Sequence, residues 1–584
     1  MPDHIDLQKK MKSHDYVILI TIIILSLLGS LLGINWGLPT NYRVDLIMSE
    51  NLKNKTFYDL MIQTRKEIYG FSDESPIGRI KESPIPMLSP VLKTLGVTGN
   101  ENLYFRGEKK ILANFVRPYF LRTNHPDEQM TIASLSVMHP KQLDFNPRVF
   151  QYGGVYIYGM AAWLGLNHIL GIIKLVPDLN FYFQTPEAIG KIFMLGRILN
   201  PFFFALTAIV IFIIAKKVYS IRAGILSAVF FVVCPAFVFQ SHIMKPYTIA
   251  TFFAMLCIYY SLIVMSDSIT KNYILLGLFT GLTIGTMPVY CPIIIAPLIA
   301  HFLISKQFNK KLFYLCLTGF VIFFITNPYW FIKFKTAYWE LSGTRGMYAR
   351  TFSISYLIRF FTEQLPIGLP HGLLFVCFIG IIYAIWRREK SDILFLTIIV
   401  IPLLFFGWLL QNQQLSIHTT RFLLPWISIM LVLGARFLDI LLNKTSVKLL
   451  TLLFLVIILT HTAMNSVIFV QNFILDGSAN STRLLAGKWI NEKIPAKSNI
   501  GMLLLPGPAH TPPFDFSRYG IAVLRNEFEK ILPDYFVTVN IISYDNINYQ
   551  LIKSFEPINS IGIFKYNTGI IGINSLVNIY KRKN

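Results

Sequence analysis

The residues best placed to carry chemistry form one short polar passage, His125, Pro126, Asp127 and Glu128. A positioned carboxylate can take the proton of a hydroxyl nucleophile, which typically contributes about 10²–10⁴-fold to a rate. We therefore predict that Asp127 is a general base. Glu128 is a second catalytic candidate that binds the substrate or orients His125, itself a candidate binding residue. The alternative for Asp127 is a helix cap after Pro126.

Two basic residues later in the chain are candidates for binding a phosphate. Lys245 ends a passage that contains His242, and Arg421 precedes a late apolar run. Cations fixed beside a departing phosphate stabilise the charge that develops as its bond breaks, and arginine offers a bidentate fork. His242 and His418 are weaker candidates for substrate binding. The alternative for both cations is snorkelling at a membrane interface.

Aromatic residues and a lone arginine complete the candidates. Tyr152 and Tyr156 flank the return of the chain to an apolar run. A substrate-binding role competes there with an aromatic belt at the membrane surface, which is the interpretation that we favour. Arg197 lies inside an apolar run, and a charge at membrane depth is a functional-site hypothesis by default. Pairing with a carboxylate such as Glu187 is its structural alternative.

The composition excludes an ordinary soluble domain. Of the 584 residues, 54% are hydrophobic and 14% are charged, and the mean hydropathy is +0.53, so we expect an all-α polytopic membrane protein. The formal net charge of +22 resides largely in basic clusters between apolar runs, as expected for cytoplasmic anchors and an anionic lipid partner rather than nucleic acid.

The apolar runs predict about eleven to thirteen transmembrane helices, since a span needs about 20 residues. The first run follows Lys9, Lys10 and Lys12, which places the N-terminus in the cytoplasm as an uncleaved anchor. The twelve runs cover residues 16–33, 154–173, 192–215, 224–239, 247–265, 273–285, 289–304, 312–329, 373–386, 393–410, 422–442 and 449–470.

Charge between these runs predicts four regions. They are a tail and first helix (1–35), an external loop (36–150), a polytopic region (151–470) and an external α/β domain (471–584), with the loop and the C-terminal domain on the non-cytoplasmic side. One conflict remains: the loop that ends at Phe150 is outside and Lys216 is inside, yet two apolar runs separate them. Either one run does not cross or a further crossing is hidden.

The last region has the pattern of a small α/β domain. Residues 483–494 have helical periodicity, and residues 499–505, 535–539 and 560–564 resemble short strands. Prolines at 506, 508, 512 and 513 interrupt the pattern.

Motifs for cofactors are absent from the sequence. The five cysteines form no CxxC pair, and no GxxxxGK[ST] loop occurs. We expect no obligate cofactor and no dedicated metal ligands, although a divalent ion near Asp127 and Glu128 is possible.

Three passages together resemble polytopic glycosyltransferases of the C-type membrane fold, which use a polyprenyl-phosphate sugar as donor, such as the protein O-mannosyltransferase-like and aminoarabinose-transferase-like enzymes. They are residues 125–128 with 144–158, residues 241–245, and residues 421–425. The resemblance implies an inverting transfer to an acceptor on the non-cytoplasmic face, with Asp127 as the base. The acceptor would be a glycan, a lipid or a protein. Many relatives have Asp where this chain has Tyr247, and residues 43–121 are an additional insertion.

Two other classes of protein fit parts of this pattern. A transporter or flippase of lipid-linked sugars should carry polar residues near the middle of the bilayer and repeated broken helices. A non-catalytic membrane protein would bind glycans with its loop and C-terminal domain. The Ile-, Asn- and Lys-rich composition favours a bacterial inner membrane as the location.

Overall fold

The structure is a computed structural model that describes residues 13–69, 103–348, 353–410, 415–524, 532–541, 548–566 and 572–583. Prolines 84, 86 and 90, which the sequence places in loops, lie outside the described residues.

The described chain is mostly helical, and its apolar helices pack into one bundle. The α-helices of ten residues or more are Ser13–Leu31, Lys55–Tyr69, Lys109–Leu121, Gly154–Ile169, Pro186–Val218, Ile221–Val233, Tyr247–Ser266, Thr270–Thr286, Lys310–Thr326, Phe334–Tyr348, His371–Arg387, Lys390–Leu410, Leu424–Asn443, Lys448–Asp476 and Thr482–Lys493. Shorter α-helices are Asn41–Ile47, Glu128–Ser136, Leu179–Gln184, Pro235–Ser241, Ile295–Phe302, Tyr329–Ile332, Ile354–Arg359 and Leu365–Gly368. Short segments of other helix types lie at Glu50–Leu52, Pro140–Gln142, Pro288–Ile294, Phe360–Gln364, Ile417–Phe422 and Thr445–Val447.

The number of helices that can cross a membrane alone is smaller than the number of apolar runs. Among the described residues, 5 helices are long and apolar enough, or up to 7 if each of two bent pairs is one span. Several runs form helices of only 16 or 17 residues, including Gly154–Ile169, Thr270–Thr286 and Lys310–Thr326, while a break at Cys234 divides another. The polytopic helical architecture is as expected from the sequence.

The structure resolves the conflict between Phe150 and Lys216. After the helix Gly154–Ile169, the chain returns to the side from which it came, because Asn180 donates to Asp59 of the first loop at 3.2 Å. The Phe183 ring also packs on Tyr58, with centroids 5.7 Å apart. The segment after the run 154–173 therefore lies on the side of the first loop, and the next helix leads to the opposite end of the bundle.

That crossing helix, Pro186–Val218, separates two polar ends of the bundle. Arg197 and Lys216 lie 19 residues apart on it, which is about 28 Å at 1.5 Å per residue and close to the thickness of a hydrocarbon core. Beyond its end, Arg222 pairs with Asp439 at 3.3 Å and Arg436 pairs with Glu389 at 3.1 Å. These ion pairs thus lie, with Lys216, at the end of the bundle opposite Asp127.

A mixed sheet forms the C-terminal domain. Its strands are β1 (Leu103–Phe105), β2 (Asn499–Met502), β3 (Gly520–Val523), β4 (Tyr535–Val539), β5 (Tyr549–Phe555) and β8 (Val577–Arg582), in the order β1-β3-β2-β4-β8-β5, while β6 (Ser560–Ile561) and β7 (Phe564–Lys565) form a separate hairpin. The β2 strand pairs in parallel with β3 and β4, and the other pairs are antiparallel. The helix Thr482–Lys493 agrees with the predicted helix.

The first external loop contributes to this sheet and to its core. The β1 strand comes from that loop, and the Tyr104 hydroxyl donates to Asn499 at 2.7 Å. Buried side chains of the loop helices, such as Phe115 and Tyr119, share one apolar cluster with Ile490 and Ile521 of the C-terminal segment. Loop and C-terminal segment are therefore held together above the helical bundle.

Candidate functional site

The loop that carries Asp127 is folded so that its carboxylate does not cap the following helix. Asp127 occupies the N-cap position of Glu128–Ser136, but its side chain makes no capping hydrogen bond. Its backbone N–H instead donates to His125 Nδ1 at 3.1 Å. The helix-cap alternative is therefore not what the structure shows, and the carboxylate is turned toward other partners.

Those partners are the two cations that the sequence selected. Asp127 Oδ2 forms an ion pair with Lys245 Nζ and lies 3.9 Å from Arg421 Nη1. The Lys245 side chain is only 2% exposed, whereas 35% of the Asp127 side chain is open to solvent. One carboxylate edge thus meets two positive charges while the rest of the group stays accessible.

Electrostatics keep this carboxylate ionised. Burial raises the pKa of Asp127, but the charges of Lys245 and Arg421 outweigh burial and lower the pKa well below its ordinary value. The Asp127 side chain is therefore an anion at neutral pH, which is the form that accepts a proton.

Side chains of neighbouring segments hold the backbone of the two cationic residues. Asn200 Nδ2 donates to the backbone carbonyl of Lys245 at 3.2 Å, and the Tyr290 hydroxyl donates to the carbonyl of Arg421 at 2.5 Å. The ring of Tyr247 lies 5.8 Å from Lys245 Nζ and 5.8 Å from Arg421 Cζ. Tyr247, where many relatives have Asp, is thus an aromatic neighbour of both cations, a role that the sequence analysis missed.

Glu128 points away from this ion cluster into a buried pair with Arg197. Arg197 Nε and Nη2 reach the two carboxylate oxygens at 2.8 and 2.7 Å, and both side chains are 0% exposed. The Thr123 hydroxyl and the Met244 backbone N–H donate to the same carboxylate at 2.6 and 2.8 Å. The partner of Arg197 is therefore Glu128. Glu187, the alternative partner, accepts from the Asn41 backbone N–H at 2.7 Å.

His125 lies beside the ion cluster in neutral form. Burial and then the charge of Lys245 lower its pKa well below the usual value. Because Nδ1 accepts from Asp127, the proton resides on Nε2, which has no hydrogen-bond partner among the described residues. The His418 ring lies 5.1 Å from the His125 ring, so both histidines are close to Asp127.

Of the remaining candidate residues, Tyr152 lies near Asp127, whereas Tyr156 and His242 connect other segments of the protein. Burial raises the pKa of Tyr152 well above its ordinary value and the charge of Asp127 raises it further, which places the phenol near the carboxylate. The Tyr156 hydroxyl donates to the Met244 carbonyl at 3.0 Å and lies 3.0 Å from the Thr131 hydroxyl. His242 is fully buried, and its ring nitrogens lie 2.7 and 3.0 Å from the backbone carbonyls of Val238 and Leu32. Tyr156 and His242 therefore join segments of the protein rather than face Asp127.

No group of three or more His, Cys, Asp or Glu side chains in the described part of the chain is arranged to hold a metal ion.

The fold and the site together define a polytopic membrane protein in which an ionised acid, Asp127, contacts two cations at one end of the helical bundle. Residues 190–330 match the sequence profile of the family described as dolichyl-phosphate-mannose-protein mannosyltransferase. This match confirms the resemblance to membrane glycosyltransferases that was inferred from the sequence. No curated protein matches the chain significantly.

Several solved structures are similar to this one at low identity. The Archaeoglobus fulgidus oligosaccharyltransferase in complex with Zn and sulfate is 13% identical, with 59% of this chain and 47% of that chain covered and a TM-score of 0.36. ArnT from Cupriavidus metallidurans bound to undecaprenyl phosphate is 12% identical, with coverages of 68% and 82% and a TM-score of 0.38. Arabinofuranosyltransferase AftD from Mycobacteria is 12% identical, with coverages of 72% and 35% and a TM-score of 0.36. The chain thus spans about half the length of the archaeal enzyme.

Proposed function

We propose that this protein is an integral-membrane glycosyltransferase that transfers a sugar from a polyprenyl-phosphate donor to an acceptor on the non-cytoplasmic face. The observation that supports this function is the contact of one partly exposed carboxylate, Asp127, with both Lys245 and Arg421. A transfer of this kind needs a base for the acceptor and cations for the leaving phosphate. The family match over residues 190–330 supports the same class.

The proposed reaction is a single displacement at the anomeric carbon of the sugar. The acceptor hydroxyl attacks this carbon while Asp127 takes its proton. The new bond forms from the acceptor oxygen to the anomeric carbon, and the bond from that carbon to the phosphate oxygen breaks. Polyprenyl phosphate leaves with the electron pair, stabilised by Lys245 and Arg421. One displacement inverts the configuration of the sugar.

Donor binding also changes the base. In the structure, Lys245 and Arg421 hold the pKa of Asp127 low, and a strongly depressed pKa makes a carboxylate a weak base. A lipid phosphate bound to the same cations would compensate their charge. The pKa of Asp127 would then rise toward its ordinary value, so the base gains strength when the donor is in place.

The distribution of charged residues indicates which membrane face each end of the bundle occupies. Arg222 and Arg436, with the acidic partner Glu389, lie at the end of the bundle opposite Asp127. Their position is consistent with a cytoplasmic face there. The Asp127 end is then the non-cytoplasmic face of a bacterial inner membrane. The acceptor is a glycan, a lipid or a protein.

The test is the transfer activity of the Asp127→Asn variant with a radiolabelled polyprenyl-phosphate sugar and membrane extract as the source of acceptor. We expect a loss of about 10²–10⁴-fold, the usual contribution of a general base. Asp45→Asn is the matched control, because this side chain is 55% exposed in a surface ion pair and such pairs contribute little.

Two results would contradict the proposal. Transfer at the wild-type rate by Asp127→Asn, with normal protein level, would remove the base. Movement of the labelled lipid between leaflets with its glycosidic bond intact, and no labelled product, would identify a transporter instead.

A further inference from the structure

A cavity lies next to the proposed catalytic loop. Its volume is ≈ 180 Å³, and its walls come from the first external loop, the end of the helix Lys448–Asp476 and the C-terminal domain. Arg43, Asn124, Asp476, Ser481 and Arg483 provide its polar surface. One water needs about 10–15 Å³ of such space, so the cavity has room for a group the size of a phosphate or a carboxylate.

The charge of this cavity is unbalanced. Arg43 is 4% exposed and Arg483 is 2% exposed, and Asp476 is the single acidic residue of the lining. That carboxylate also accepts from the Ser481 hydroxyl at 2.7 Å and from Asn124 Nδ2 at 3.1 Å. Arg483 pairs with Asp476 at 3.5 Å. Among the described residues the lining thus holds two arginines and one carboxylate, which leaves one positive charge in excess.

Each guanidinium keeps an unused donor. Arg43 directs Nη2 to the backbone carbonyls of Tyr119 and Arg122, and Arg483 directs Nη2 to Ser575 Oγ at 2.7 Å. The Nε atoms of Arg43 and Arg483 are buried and have no hydrogen-bond partner among the described residues. A buried charged donor without a partner is costly. An anion in the cavity would offset the positive charge of both arginines.

The lowered pKa of Arg43 also supports binding of an anion in the cavity. Burial lowers the pKa of its guanidinium to about 9; Tyr119 and Asp476 raise the pKa, whereas the nearby charge of Arg483 lowers it. The neighbouring charges in the protein therefore do not restore the pKa of Arg43, and a bound anion would raise it.

The cavity lies within a short distance of the proposed base. Asn124 lines the cavity and precedes Asp127 by three residues, so their Cα atoms are at most about 11 Å apart. Arg421 and Lys245 contact the carboxylate of Asp127 itself and are not part of the cavity lining. The cavity is therefore separate from the two cations that are proposed to hold the lipid phosphate.

We propose that this cavity binds an anionic group, a phosphate or a carboxylate, carried by the acceptor. The inference rests on the proposed function, because it assigns the second substrate of that transfer. It also gives the C-terminal domain a role in acceptor selection, since Arg483 and Ser481 belong to that segment and Arg43 and Asn124 belong to the first loop.

The test counts anion sites on the purified full-length protein with radiolabelled inorganic phosphate in equilibrium dialysis at constant ionic strength. We expect two sites in the wild type. The Arg421→Ala variant should retain the cavity site, and the Arg483→Lys variant should retain the donor site. Binding to the cavity should weaken by about tenfold to a hundredfold in Arg483→Lys, as expected for the loss of a hydrogen bond to a charged group.

A matched control and a second variant guard against unfolding. Arg518→Lys changes an exposed arginine of the same domain outside the cavity and should bind phosphate like the wild type. Arg43→Lys changes the opposite wall and should weaken the same site at a native thermal midpoint. Wild-type phosphate binding by both cavity variants would overturn the inference, as would the absence of any site in Arg421→Ala.

Kinetics link the site to the acceptor. Phosphate should inhibit transfer in competition with the acceptor as well as with the donor, since it is expected at both sites. Arg483→Lys should raise the KM for acceptor while the KM for donor stays unchanged. An unchanged acceptor KM would overturn the assignment to the acceptor. Failure of the proposed function appears elsewhere, as wild-type transfer by Asp127→Asn, and would leave the phosphate count unaffected.

Discussion

Arg197 and Glu128 form a bidentate ion pair, at 2.8 and 2.7 Å, in which neither side chain has exposed surface. The remaining donors of Arg197 bond the backbone carbonyls of Ile34 and Trp36, at 2.8 and 2.7 Å. One arginine of a spanning helix thereby holds the end of the first helix and the residue next to Asp127. The pair fixes the position of the candidate base without contacting it.

The first prediction separates this positioning role from a catalytic one. Removing one partner of a buried pair leaves an uncompensated charge, so Glu128→Leu and Arg197→Met should each lower stability by about 3–5 kcal/mol. The double variant should be more stable than either single variant, because both charges are then absent. The measurement is the thermal midpoint in detergent, compared as a double-mutant cycle.

The opposite pattern would show that Glu128 takes part in chemistry. In that case Glu128→Leu would keep the wild-type thermal midpoint, and transfer would fail in the single and the double variant alike.

The second prediction concerns the alkaline side of the pH profile. Burial lowers the pKa of Lys245 to about 8, with Asp127 raising it and Arg421 lowering it. As pH rises through this value, Lys245 loses the charge that binds the donor phosphate, so kcat/KM should fall above about pH 8. In Lys245→Arg, which stays charged at every accessible pH, this decline should be absent. An identical alkaline decline in the variant would assign it to another group.

The third prediction concerns the acid side. Asp127 has a lowered pKa in the free protein, so it remains ionised until the pH falls well below the ordinary value of about 3.9. The kcat/KM of the wild type should therefore show no acid decline from Asp127 above about pH 4. In Arg421→Gln one lowering charge is absent, so the pKa rises and the decline should move to higher pH. A shift to lower pH, or none, would contradict this electrostatic account.

The sequence predicted the neighbourhood of Asp127, Lys245 and Arg421, and the structure places these three residues in contact. The sequence grouped these residues because each adjoins an apolar run, and the positive-inside rule assigns these ends to one membrane face. The roles of the three residues in catalysis stay predictions. Helix periodicity likewise located Thr482–Lys493, and β-rich segments located β2 and β4.

Contacts between distant segments could not be predicted in the same way. Glu128 lies 69 residues before Arg197, and no periodicity relates two charges in different elements. The β1 strand has only 3 residues, too few for an alternating pattern, and its partner strand β3 follows it by about four hundred positions. The path of the run 154–173 could not be predicted either, since hydropathy does not distinguish a crossing from a return to the same face.

The last prediction tests how the helix Gly154–Ile169 holds Tyr156 against the catalytic loop. A Cβ added to Gly154 would lie 1.8 Å from the Thr326 carbonyl oxygen, whereas a Cβ at Gly159 of the same helix meets nothing within 4 Å. Gly154→Ala should force these helices apart and cost about 1–3 kcal/mol or more. Gly159→Ala should be neutral or stabilising by up to about 1 kcal/mol, as alanine favours a helix.

The measurements are the thermal midpoint and the transfer rate of the two alanine variants. The Tyr156 hydroxyl lies on the Met244 carbonyl and beside Thr131 of the catalytic loop, so a displaced helix should reduce transfer in Gly154→Ala by more than its loss of folded protein explains. Equal behaviour of the two variants would show that close packing at Gly154 does not position the loop.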